Sequence, residues 1–262
     1  MRKLYIFGDS FTVDYEADWT WTRQLASKLR VDAMMNNSII GCSNDWILTK
    51  IKEQEEKLQK DDVVLVVLTS PYRFWFFKDK PELSNFKIAN WDNFAKEHEK
   101  GHVDAVRGYV NYLQHDELDS FRLQQQVSWL KELQRRIGFT LLVIPGFSVD
   151  FDYTDLIKVY GDMTGSVSNP EFVSPKDDEE WYNDGIDTRY NHMIKSNHEI
   201  LADKCLNSIV TGNTLDLTQG FHYKILKGHE RLTATKHIGP KLVKTSNELY
   251  GNEPKRKRHW LS

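Results

Sequence analysis

Cysteine is nearly absent from this chain: only Cys42 and Cys205 occur in 262 residues. Two cysteines make no disulfide framework, and neither a CxxC pair nor a zinc-ligand spacing is present. A reducing compartment is the expectation. Long hydrophobic runs are also missing. The longest is Val63–Leu68, far short of the roughly 20 residues that a membrane helix needs. Behind Arg2 and Lys3 the apolar stretch is only Leu4–Phe7, whereas a secretory leader needs roughly 7–15 such residues. A cytoplasmic protein without a cleaved leader and without a membrane partner is expected. An excess of one charge is lacking as well. The formal net charge is −3, so no global field draws nucleic acid or anionic lipid. The local exception is Lys255, Arg256, Lys257 and Arg258, read as a solvated basic tail with a targeting or phosphate-binding role as the other reading. No glycine-rich phosphate loop follows the first apolar run, which weighs against a nucleotide-binding domain.

What is present suits one large α/β domain. The apolar fraction is 40% and the charged fraction 28%, ordinary for a chain that buries a full core. Leu4–Phe7 reads as a short buried strand, and "DDVVLVVLTSP" places Val63–Leu68 as the clearest one. A continuous, mostly β-branched run of this kind suits a strand buried on both faces, as in a parallel sheet. Asp32–Ile40 and "FTLLVIPGF" add two more strand candidates, and Ile209–Leu217 a last one. Helices are expected over Trp19–Leu29, from Ser43 or Asn44 to about Lys60, over Phe121–Ile137 with a stop at Gly138, over His192–Cys205 and over Thr233–Leu249. Strands alternating with helices imply a flavodoxin-like, three-layer α/β/α fold around a parallel sheet. Sites in such sheets lie at the carboxyl ends of the strands. Gly8-Asp9-Ser10, Gly41–Asn44, Thr69–Arg73 and Pro145-Gly146 all fall there and are expected on one rim. Residues 72–118, rich in aromatics and then in charge, read as a mostly helical insertion. Residues 146–186, rich in Gly, Pro and Asp, read as a long lid or binding loop.

Two segments carry chemistry. "FGDSFT" puts a serine directly after the first strand, and "DTRYNHMIKSNH" puts His192 ahead of a helix and His198 inside it. Together with "NNSIIGCSNDWI", these segments resemble the SGNH (GDSL-type) hydrolase superfamily, in particular its divergent members common in tailed phages. The resemblance covers residues 3–205 as spaced blocks. It implies Ser10 as nucleophile, with its own backbone N–H and that of Gly41 in an oxyanion hole. It implies His192 as general base, oriented by an aspartate. Two blocks depart from the family pattern. Thr69-Ser70-Pro71-Tyr72-Arg73 stands where the family has Gly-x-Asn-Asp, so Asn44 is the substitute donor. Arg189 stands where the acid is expected, leaving Asp187, with Asp184 as the other choice.

The residue types suit the reaction. A serine hydroxyl attacks well only when an imidazole takes its proton. A carboxylate fixes the imidazole tautomer and stabilises the imidazolium that forms. Asp9 reads as structural, bonding turn N–H groups, and His198 as packed or hydrogen-bonded. His229, in "GHERLTATKH" with His237 nearby and His222 before it, is the rival base. Arg73, Trp181 and Tyr182 are candidate substrate contacts. The expected layout is a domain over residues 1–205 and an extension over 206–262 packed on it, ending in the basic tail 255–258. The expected activity is hydrolysis of an acyl ester, plausibly on a carbohydrate, with no cofactor and no metal. The alternative is a relative of the same fold that binds or builds without turnover.

Overall fold

Asp62 ties together the amino ends of two strands: its Oδ1 accepts from the Lys3 N–H at 2.8 Å, and its Oδ2 from the Gln59 N–H at 2.9 Å. From that point β1 (Lys3–Phe7) and β3 (Val63–Leu68) run parallel in register, Leu4 opposite Val63 and Phe7 opposite Val66. β2 (Ala33–Asn36) adds to the outer side of β1, and β4 (Thr140–Pro145) to the outer side of β3. The sheet order is β2-β1-β3-β4, all parallel. The computed structural model describes residues 1–14, 18–75, 96, 99–164, 193 and 195–221.

The sheet is covered on both faces, and strand alternation divides the core. Leu4, Ile6, Val63, Leu65, Val67, Leu142 and Ile144 pack with Trp21, Leu25 and Leu29 of α1 (Trp21–Leu29) and Leu201 and Cys205 of α5 (Lys195–Thr211). The intervening residues Tyr5, Phe7, Val64, Val66, Leu141 and Val143 pack with Ile47 and Ile51 of α2 (Asn44–Gln54) and Leu123, Val127 and Leu130 of α4 (Asp116–Ile137). Side chains along a strand point alternately to opposite faces, so two helical layers need an uninterrupted apolar run between them. All six residues of β3 are buried. This is the α/β/α architecture expected from the sequence.

Several boundaries differ from the sequence expectation. Residues 209–217 were expected as a strand, but α5 continues through Thr211 and Gly212 follows at φ +72°. Leu201, Cys205 and Ile209 recur every four residues, and all are buried, so one apolar stripe extends the helix. Only Leu215–Asp216 forms a strand, β6, which pairs in parallel with β5 (Val159–Tyr160). The helix therefore crosses position 205, and Leu215 and Leu217 are buried with the α1 and α5 residues. α4 begins at Asp116 rather than Phe121. His115 caps it by accepting from the Leu118 N–H, and three acids occupy its first turn, favourable near the positive end of a helix. Its end at Gly138, φ +89°, falls where expected. Within the insertion expected over 72–118, α3 (Lys100–Gly108) leads into a wider helical turn over Tyr109–Leu113. The expected helix 233–249, the tail 255–258 and His222, His229 and His237 lie outside the described residues.

Candidate active site

The turn after β1 is held from several sides. Asp9 Oδ1 accepts from the Phe11 N–H at 3.1 Å, and the Asp9 carbonyl accepts from the Thr12 N–H at 3.1 Å and the Thr12 hydroxyl at 2.9 Å. The Phe11 carbonyl accepts from the Trp21 indole at 2.8 Å, and the Thr12 carbonyl from the Asn36 amide at 2.8 Å. Gly8 is required here: a Cβ would stand 2.5 Å from Thr12 Oγ1. Asp9, Phe11 and Thr12 are buried, and Ser10 between them is only half-buried.

Asp9 also reaches across the sheet. Its Oδ2 accepts from the Thr69 hydroxyl at 3.0 Å and from the Arg73 guanidinium at 2.7 Å. The same guanidinium lies 4.9 Å from the Phe147 ring centre, and Phe147 meets Phe11 edge to face at 5.8 Å. The ends of β1, β3 and β4 thus converge around one buried cation. Arg73, expected to contact substrate, is anchored first by Asp9 and is mostly enclosed.

The third part of the rim is the turn before α2. Gly41 takes φ +72°, a conformation that glycine adopts without strain. Ser43 caps α2 by accepting from the Trp46 N–H at 3.3 Å. Asn44, the first residue of α2, clamps the end of β3: its Oδ1 accepts from the Thr69 N–H at 2.8 Å and its Nδ2 donates to the Thr69 carbonyl at 3.0 Å. The carboxamide proposed as an oxyanion donor is therefore engaged with Thr69. The Cys42 thiol donates to the Gly8 carbonyl at 3.4 Å; burial and then the nearby Asp9 carboxylate push its pKa up, so it remains a thiol and no nucleophile.

Ser10, Gly41, Asn44 and Arg73 thus stand on elements meeting at the carboxyl edge. Asp187, Asp184, His192, Trp181 and Tyr182 lie outside the described residues. Met193, next after His192, is buried in the hydrophobic cluster that also holds Phe11, next after Ser10. His198 has a structural post. Its Nδ1 accepts from the Trp21 N–H at 3.0 Å, and its ring meets Trp19 edge to face at 4.9 Å. An accepting Nδ1 places the proton of the neutral ring on Nε2. Thr69, expected on the rim as the residue directly after β3, is gripped by both Asp9 and Asn44. The sequence reading gave no signal for Asp119, buried on α4.

A protein-family model matches residues 8–216, and the chain belongs to that family, a family of unknown function (DUF6071). No curated protein matches the chain. Among solved structures it is similar to an acetyl xylan esterase, AlAXEase, at 9% identity and TM-score 0.34, over 90% of this chain and 98% of that one. It is similar to phospholipase A1 from Streptomyces albidoflavus NA297 at 10% identity and TM-score 0.29, over 81% of this chain and 77% of that one. It is also similar to a structure assigned to the G-D-S-L lipolytic family, from Desulfitobacterium hafniense DCB-2, at 12% identity and TM-score 0.31, over 78% and 98%. Scores this low assign no activity to the chain. Among the described residues no helix is long and apolar enough to cross a membrane.

Proposed function

We propose that this chain is a serine hydrolase of the SGNH type that removes an acetyl or other acyl group from a carbohydrate or similar ester. The observation that carries the reading is the state of Ser10. It is the half-open residue of an otherwise buried, heavily bonded turn at the carboxyl edge of a parallel sheet. Ser10 attacks the ester carbonyl while His192 takes its proton, with Asp187 or Asp184 orienting the imidazole. Phe11 and Met193, their chain neighbours, share one hydrophobic cluster, which supports bringing Ser10 and His192 together. The backbone N–H groups of Ser10 and Gly41 receive the oxyanion, each such donor being worth about 3–4 kcal/mol. Asn44 is a further donor to that oxygen through the N–H not given to Thr69. Arg73, Trp181 and Tyr182 contact the substrate; His192 returns the proton to the departing alcohol, and water, deprotonated in turn by His192, then hydrolyses the acyl–Ser10 ester. No cofactor enters either step.

Labelling with a fluorophosphonate tests this. The expected result is one label on Ser10, lost in Ser10→Ala and His192→Ala. Ser10→Ala should also remove hydrolysis of p-nitrophenyl acetate by several orders of magnitude while changing stability by less than about 0.5 kcal/mol. A chain that takes no label and hydrolyses no ester supports the second reading, a binding or structural module of the same fold, in keeping with a phage particle. What favours that reading is Asn44, both polar ends of whose carboxamide serve Thr69.

A further inference from the structure

A narrow cleft, partly open to solvent, lies between the turn after β3 and the amino-terminal half of α4, lined by Asn44, Arg73, Phe74, Asp119, Arg122 and Gln126. Asn44 and Arg73 belong equally to the rim that carries Ser10, so the cleft adjoins the candidate active site. It has room for about one hydroxyl-sized group and not for a whole ring.

Its chemistry is specific. Asp119 is 1% exposed; its Oδ2 accepts from the Gln114 amide at 3.0 Å, and its buried Oδ1 has no hydrogen-bond partner among the described residues. A buried carboxylate oxygen without a donor is costly, and a ligand donor would relieve it. Two guanidiniums also line the cleft. Arg73 is bound to Asp9, while Arg122 donates to the Tyr109 hydroxyl at 2.9 Å and lies 6.0 Å from the Phe74 ring centre. These cations repel a ligand ammonium. At the lip, Gln126 donates to Asp45 Oδ1 at 2.8 Å. Arg73 is already neutralised by Asp9, which leaves Arg122 beside Asp45 and Asp119, so no positive excess selects an anion. Guanidinium and amide donors stand beside one unmet acceptor, against an aromatic wall. A hydroxyl is both donor and acceptor, and neighbouring hydroxyls on a ring with an apolar face match this set.

We propose that this cleft receives one hydroxyl of the substrate, projected from a neutral, hydroxyl-bearing ring at its mouth, with Asp119 Oδ1 accepting that hydroxyl. The assignment rests on the esterase reading above for its connection to Ser10.

The experiment compares kcat/KM for methyl 6-O-acetyl-glucopyranoside with that for p-nitrophenyl acetate, which has no hydroxyl to place. Asp119→Asn sets an N–H where Oδ1 stands, and Gln126→Leu alters only the lip. In both variants the ratio of the two kcat/KM values should fall at least tenfold, through KM for the glucoside ester. An unchanged ratio overturns the subsite. Circular dichroism checks folding, and if Asp119→Asn does not fold, Gln126→Leu decides. If the wild-type chain hydrolyses neither ester, the esterase reading fails, and the subsite is read by saturation-transfer NMR with methyl glucopyranoside. A signal lost in Gln126→Leu or Asp119→Asn upholds the subsite; no signal with the wild-type chain, or a stronger one with cyclohexylamine, overturns it.

Discussion

Asp9 Oδ2 and the Arg73 guanidinium stand 2.7 Å apart, with side-chain exposures of 0% and 10%. The pair locks the turn that holds Ser10 to the chain leaving β3. Removing one member of a buried ion pair strands the other without compensation, at about 3–5 kcal/mol. Arg73→Met should therefore lower stability by about that amount. Adding Asp9→Asn should recover part of the loss, because no charge is left buried. Urea denaturation of the single and double variants measures this, and strictly additive losses would show the two residues to be energetically independent.

Asn44 is expected to act on stability before it acts on turnover. Asn44→Ala leaves the buried Thr69 N–H and carbonyl without their side-chain partners, and each such loss costs about 1–3 kcal/mol. Thermal unfolding should shift downward accordingly. An unchanged melting temperature with a large fall in kcat would instead assign Asn44 mainly to the oxyanion.

Gly146 marks a close approach of two strands. Its N–H donates to the Leu68 carbonyl at 2.6 Å, and a Cβ would stand 2.7 Å from that same oxygen. The obstacle is backbone, which cannot step aside as a side-chain tip can. Gly146→Ala should cost about 1–3 kcal/mol and loosen the edge where β3 and β4 meet. Amide exchange at Gly146 and Thr164, whose N–H bonds the Gly146 carbonyl at 3.0 Å, reads the effect. Protection equal to that of the wild-type chain would refute it.

Burial holds the Asp119 carboxyl above its ordinary value of 3.8, against the Gln114 hydrogen bond and the Arg122 charge that pull it down. The folded chain therefore holds this proton more tightly than the unfolded chain does. The associated stability is fully present below pH 3.8 and is lost as pH rises through the folded pKa. Asp119→Asn carries no such dependence. The variant should thus gain on the wild-type chain between acid and neutral pH, as measured by urea unfolding at pH 3.5 and pH 7. A stability difference that stays constant, or that moves the other way, would contradict the sign.

Much of the frame is legible locally. Val63–Leu68 and Thr140–Pro145 are continuous apolar runs, and such runs are stable in water only as strands covered on both faces. Gly138 and Ser43 announce a helix end and a helix start through backbone chemistry that acts within one turn. The stretch 209–217 was misread because a short apolar run fits strand and helix alike. Burial of Ile209 on the inner face of α5 decides between them, and that depends on where α1 lies.

By itself the sequence determined the parallel α/β class, the order of the four main strands and the helices α1, α2 and α4 between them, and the placing of Ser10, Gly41 and Arg73 at strand ends. These follow from periodicity and turn chemistry, which operate over a few residues. Only the tertiary structure decided that Asp9 grips Arg73, that Asn44 spends its carboxamide on Thr69, that His198 caps α1, and that Asp119 ends in a cleft with an oxygen unmet. Each joins segments through the strand order β2-β1-β3-β4 and the helices laid on it, and a side chain's choice of a distant partner is made only when that packing brings the two together.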